Sequence, residues 1–130
     1  MGLTHVDVEI ANPAVPDRRV RRRMLVDSGA AYSVVDSATL QNLGIVATGE
    51  RSFILADGTD ITRRIGVASF HFRGEQGGST VIFGESGDAA ILGIVTLEEL
   101  GLILDPMRRE IRPMPLTLMP LRPIARAALS

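Results

Sequence analysis

The residues best suited to chemistry are Met24-Leu25-Val26-Asp27-Ser28-Gly29-Ala30, where an apolar run drives directly into a carboxylate. A buried strand that ends by presenting an Asp is costly unless that charge is paired, hydrogen-bonded or used in a reaction. Ser28 adds a hydroxyl able to bond a carboxylate, and Gly29 permits a tight turn or the close approach of another backbone. Taken alone, Asp-Ser-Gly also makes an ordinary turn. Two downstream features favour a site over a turn. One is an Ala56-Asp57-Gly58-Thr59 hairpin tip, and the other is a second apolar run closing on glycine at Ile91-Leu92-Gly93. Rival chemistries lack their residues. There is no Cys, which removes thiolate catalysis, disulfides and Cys-ligated zinc. His5 and His71 are the only histidines and neither stands at ligand spacing, so no metal site is expected. No nucleophile elbow supports a Ser-His-Asp triad on Ser28 or Ser33. Each His is expected on the solvent side of a strand.

The elements that must position Asp27 read as short strands. His5-Val6-Asp7-Val8-Glu9-Ile10 alternates polar and apolar, the period of a half-buried strand. Ala11-Asn12-Pro13 and Pro16-Asp17 stop it, and Arg18 to Arg23 lead into Met24-Leu25-Val26, giving a hairpin whose second strand carries Asp27. Five Arg in the six residues 18–23 also fit an anionic or nucleic-acid patch. The preferred reading is a solvated hairpin end whose charge is offset by acids. Tyr32-Ser33-Val34-Val35 leaves the turn as a strand, and Asp36 or Ser37 caps a short helix through Leu40 and Leu43 that Gly44 stops. Arg51 to Leu55 and Ile61 to Val67 flank the Ala56–Asp60 tip as a hairpin. Alternation continues to Phe72, Arg73 to Gly78 form the next connection, and Ser79 to Phe83 return. Thr96-Leu97-Glu98-Glu99 has capping-box spacing, which starts a short helix at Thr96 that ends near Gly101. Leu102 to Asp105 and Glu110 to Arg112 form a last pair. Four prolines from Pro113 onward keep the tail out of a central strand. Residues 1–113 therefore read as one domain, and 114–130 as a Pro-rich interface arm or disordered tail.

The 130 residues, 45% hydrophobic with a formal net charge of −1, fit one soluble globular domain. No apolar run is long enough to span a bilayer, and residues 1–7 lack a signal-peptide pattern, so a cytoplasmic protein without membrane partners is expected. A net charge of −1 with 4% aromatic residues argues against nucleic-acid binding. No cofactor is expected.

Asp27-Ser28-Gly29-Ala30 at a strand end, the hairpin, Ile91-Leu92-Gly93, the short helix and the final strand pair together resemble the retropepsin-like aspartic proteases. These are the single-lobe, retroviral-type branch of the pepsin clan, and the chain looks closest to small prokaryotic-type members. The resemblance spans roughly residues 4 to 113. It implies an all-β, single-lobe acid-protease barrel with a flap hairpin and one or two short helices. It implies that Asp27 is the catalytic aspartate, that Ser28 braces that carboxylate, and that Gly29 lets substrate backbone lie close. It places Ala30 and the flap tip, Ala56, Asp57, Gly58 and Thr59, against substrate, with Ile91, Leu92 and Gly93 packed behind the site. Val35, Ile54, Ile61, Ile82 and Ile91 are expected pocket walls. Many viral relatives carry an acid where Ala31 stands and an Arg where Ile94 stands, so that contact becomes one of packing.

Such chemistry uses two carboxylates that share one proton, one as general acid and one as base toward a water between them. A single Asp has the required context here, so the second must be Asp27 of another copy, which implies a two-fold homodimer acting on peptides or proteins. The alternative is a dimer of the same fold that binds peptides or mediates assembly without cutting.

Overall fold

Alternation of polar and apolar residues makes β1 (His5–Ala11) and β2 (Arg19–Val26) an antiparallel hairpin, with His5 opposite Leu25 and Ala11 opposite Arg19. Val8, Ile10, Met24 and Val26 point inward and are buried, while Asp7 faces Arg23 and Glu9 faces Arg21 on the outer side. The arginine run is thus distributed among acids and carbonyls. Arg19 lies 3.5 Å from Glu9, Arg22 bonds the Thr39 hydroxyl near Asp36, and Arg18 donates to the Asn42 carbonyl. The computed structural model describes residues 4–115.

The chain continues through β3 (Ser33–Asp36), α1 (Ser37–Asn42), β4 (Gly49–Ile54), β5 (Asp60–Phe72), β6 (Glu75–Gly84), β7 (Ile91–Leu92), α2 (Ile94–Glu99), β8 (Leu102–Asp105) and β9 (Glu110–Pro113). Seven strands form one mixed sheet in the order β1-β2-β7-β3-β6-β5-β4, and an added β1–β5 pairing closes it. Six strands therefore ring the core, and β4 hangs on the outer edge of β5. Closure removes most free sheet edges. Phe70, Phe83, Val35, Val81 and Leu92 fill the ring, with Leu40 of α1 and Leu97 of α2 buried against them. Each such side chain contributes roughly 1.5–3 kcal/mol. Strands β8 and β9 form a separate two-stranded sheet whose Leu102 and Ile111 join the same cluster. The fold is all-β with two short helices, as expected. The β4–β5 hairpin pairs Ile54 with Asp60, and Asp36 caps α1 through the Thr39 N–H at 3.0 Å.

Three local expectations are corrected. The connection after Phe72 is not Arg73 to Gly78 but two residues, Arg73 and Gly74, at φ 51° and 80°, the left-handed pair of a tight hairpin. Glu75 to Gly78 belong to β6. Gly77 serves there because a Cβ would stand 2.8 Å from the Glu99 carbonyl oxygen, so it admits α2 against the strand. The second helix starts at Ile94, not Thr96, and Gly93 precedes it without a side-chain cap. Thr96 is fully buried instead.

The third correction is His71, which is buried at 6% exposure rather than solvent-facing. Ala68, Ser69, Phe70 and His71 are all buried in succession, so this part of β5 is covered on both faces and alternation fails. His71 Nε2 lies 3.1 Å from the Ser69 hydroxyl, opposite Glu9 on the β1–β5 seam. Burial first, then the Arg19 charge, push its imidazole below the ordinary value, with Glu9 opposing. The unfolded chain then binds the proton more readily, so His71 adds stability above pH about 6.5 that is lost as the pH falls through its lowered value. Thermal melts of the wild type should weaken on acidification from neutral pH, and His71→Gln should flatten that dependence. Equal slopes for the two proteins would contradict this assignment.

The tail expectation concerns residues that lie mostly outside those described. Within them, the Met114 N–H donates to the Gly101 carbonyl at 2.8 Å.

Candidate active site

Asp27 is the first residue after β2, and its position is fixed from two sides. Behind it, β2 runs parallel to β7, with Leu25 opposite Ile91 and Val26 opposite Leu92, and the Asp27 N–H donates to the Leu92 carbonyl at 3.2 Å. Ahead of it, the chain turns back at once. The Ala30 N–H reaches the Asp27 carbonyl at 3.2 Å, and the Gly29 N–H donates to Asp27 Oδ1 at 2.8 Å. The carboxylate is thus half-buried at the mouth of a turn and held by a main-chain donor. A methyl at Gly29 would stand 3.3 Å from Oδ1, so a larger residue would crowd the carboxylate. Ser28 is exposed, and its hydroxyl has no partner among the described residues.

The residues after the turn are clamped by the start of α2. The first N–H groups of a helix lack intrahelical acceptors. Here the Ile94 and Val95 N–H groups donate to the carbonyls of Ala30 and Ala31, each at 2.9 Å, which explains why no side-chain cap is needed. These main-chain bonds join Ile94 to Ala30 and Val95 to Ala31. Gly93 makes the approach possible. A Cβ there would lie 2.6 Å from the Tyr32 carbonyl carbon and 2.7 Å from the Ala31 oxygen. Ile91, Leu92 and Gly93 therefore lie directly behind the Asp27 turn.

A buried hydroxyl cluster, assembled from distant residues with no local motif to mark it, completes this support. Ser33 Oγ accepts from the Gly93 N–H at 3.0 Å and lies 2.5 Å from Thr96 Oγ1, which in turn lies 3.0 Å from Ser79 Oγ. All three side chains are buried. Thr96→Val keeps the shape and removes the central hydroxyl, so it should cost about 1–3 kcal/mol of stability in a denaturant titration. An unchanged midpoint would show that the cluster contributes nothing.

The β4–β5 tip residues Ala56, Asp57, Gly58 and Thr59 form a self-contained turn. The Leu55 N–H donates to the Thr59 carbonyl and the Gly58 N–H to the Leu55 carbonyl. The Asp57 carboxylate accepts from both the hydroxyl and the N–H of Thr59, which hold it below the usual carboxyl range in that order. Asp57 is occupied in shaping the tip. No hydrogen bond joins the tip to the Asp27 turn. Contact between hairpin and turn runs instead through Tyr32, which meets Arg51 and Phe53 of β4. Neither residue had been singled out, because the pairing is long-range and carries no local pattern. Of the expected pocket walls, Val35 is absorbed into the core, whereas Ile54 is 78% exposed on the hairpin.

Three further aspartates have structural tasks of their own. Asp36 caps α1, Asp105 accepts from the Met107 and Arg108 N–H groups, and Asp88 takes a two-pronged bond from Arg63. The Arg63 bond is the main reason the Asp88 carboxyl is held below its usual range. Two open pockets, of 320 and 510 Å³, are lined by residues around His71 and around Asp36 and Asp88, and neither includes Asp27. No helix among the described residues is long and apolar enough to cross a membrane.

No curated protein matches the chain. Among solved structures, the retroviral protease-like domain of Ddi1 from Leishmania major matches at 15% identity with a TM-score of 0.47, covering 86% of this chain and 90% of that one. A family model described as aspartyl protease matches residues 6–96, which takes in the Asp27 turn, the β4–β5 hairpin and the Ile91-Leu92-Gly93 segment. With that match over more than half its length, the chain belongs to the retropepsin-like aspartyl protease family.

Proposed function

We propose that the protein is a homodimeric aspartic endopeptidase in which two Asp27 carboxylates, one from each copy, activate a water between them. The observation that carries this reading is the setting of Asp27. It is a half-buried carboxylate at the end of a core strand, held by the Gly29 N–H with its turn clamped from behind by α2, while Asp36, Asp57, Asp88 and Asp105 are spent on a cap, turns and ion pairs. A structural Asp would gain from a cation or a second donor, and Asp27 has neither among the described residues.

Water activation needs a base and an acid, and one carboxylate cannot be both at once. The exposed Ser28 hydroxyl, with no partner among the described residues, is available to brace the second copy's turn. In such a dimer one Asp27 takes the proton of the water as it attacks the scissile carbonyl. The other, carrying the shared proton, gives it to the carbonyl oxygen. As the C–N bond breaks, the first Asp27 passes the proton it took from water to the leaving amine, and the second recovers its own from the hydroxyl of the collapsing intermediate. An extended peptide lies under the β4–β5 hairpins, which act as flaps, with main-chain bonds holding it in register. The exposed Ile54 and Leu55 give the hairpin ends apolar side chains.

The test is cleavage of a peptide library by purified protein from acidic to neutral pH, with sedimentation to establish the dimer. Cutting by a dimeric species supports the reading. A stable dimer that cuts nothing at any pH would contradict it and favour a peptide-binding or assembly role.

A further inference from the structure

The hairpin and the Asp27 turn meet at Tyr32. Its hydroxyl accepts a hydrogen bond from Arg51 Nη1 at 2.9 Å. The guanidinium carbon of Arg51 stands 5.3 Å from the ring centroid, and Phe53 meets the ring edge-on, with centroids 6.1 Å apart and planes at 74°. Arg51 and Phe53 are alternate residues of β4, so both project from one face of the strand, and Tyr32 receives both.

The two sides of this contact differ in mobility of attachment. Tyr32 sits on a fixed post: its backbone is packed against Gly93, and the residues on either side are bonded to α2 and to the hydroxyl cluster. Strand β4 is bonded to β5 alone, on the outer edge of the sheet. Arg63, opposite Arg51 across the hairpin, is committed to Asp88 and Glu85, whereas Arg51 has no carboxylate partner among the described residues. The Arg51 side chain is thus free to serve Tyr32.

We propose that Tyr32 is a positioning residue that seats the β4–β5 hairpin over the Asp27 turn through Arg51 and Phe53. The seat determines how closely the hairpin shuts on an extended peptide, so its loss weakens substrate capture rather than the chemical step. That consequence rests on the endopeptidase reading, but the seat itself does not.

The chain has one Tyr and no Trp, so its intrinsic fluorescence reports on Tyr32 directly. Acrylamide quenching is expected to rise about twofold in Arg51→Gln and in Phe53→Ala, with amide exchange of residues 49–61 roughly tenfold faster and β1–β2 unchanged. Unchanged quenching and exchange in both variants would overturn the proposal. In the peptide assay, Tyr32→Phe keeps the ring and should raise KM roughly threefold with kcat within about twofold, and Arg51→Gln should add little on top of it. A loss confined to kcat would also overturn it. Should no peptide be cut, quenching and exchange still decide whether Tyr32 seats the hairpin, and the endopeptidase reading alone falls.

Discussion

Asp27→Asn is expected to abolish peptide hydrolysis while leaving the fold intact. Asn has nearly the same shape, and its amide oxygen can still accept the Gly29 N–H that holds the carboxylate at 2.8 Å. What it cannot do is take a proton from water or hold one for the leaving group. Both general acid and general base are lost from the dimer, so kcat/KM should fall on the order of 10⁴-fold or more. Stability moves the other way. Two carboxylates brought close in a dimer repel unless a proton is shared, so the variant should melt at or slightly above the wild-type temperature. Lost activity in a protein that melts as well as wild type locates the defect in the chemistry. Retained activity would remove Asp27 from the mechanism.

Gly93→Ala should have the largest effect on stability among single methyl additions near the site. The added carbon would lie 2.6 Å from the Tyr32 carbonyl carbon and 2.7 Å from two backbone oxygens, none of which is a flexible side-chain end. Either β7 or the segment at Ala31 and Tyr32 must move. Movement breaks the Ile94–Ala30 and Val95–Ala31 main-chain bonds and the Gly93–Ser33 bond together. A cost of about 3 kcal/mol or more is expected, which for a domain of this size lowers the melting temperature by about 10 °C or more. Activity should fall further than stability alone accounts for, because the displaced segment carries the turn that holds Asp27. A melting temperature within a degree of wild type would show that the close packing behind the turn is not needed.

The parts of this molecule that were legible in its sequence are those set by local rules. Period-two alternation marks β1, the Asp36 cap and Gly44 stop bound α1, and an Asp-Gly tip between apolar runs marks the β4–β5 hairpin. The Asp27 turn was legible because an apolar strand runs directly into Asp-Ser-Gly, three common turn formers. What failed was decided at long range. Thr96 fits a helix-starting pattern, yet its hydroxyl is taken by Ser33 and Ser79, which lie 63 and 17 residues away in the chain. Gly77 reads as a loop residue, and only the approach of Glu99 shows why a strand needs it. His71 reads as the outward member of an alternating strand until β5 is found to be covered on both faces. Tyr32 carries no motif at all, and its importance arises from residues on β4 that pairing order alone brings to it.

Mixing experiments test most directly whether one active site is shared by two chains. Wild-type protein is titrated with Asp27→Asn at constant total concentration, allowed to exchange subunits, and assayed for peptide hydrolysis. If each site needs an Asp27 from both copies, activity falls as the square of the wild-type fraction, so an equal mixture retains roughly one quarter. If each chain acts alone, the equal mixture retains about one half, and that linear decline would contradict the shared site.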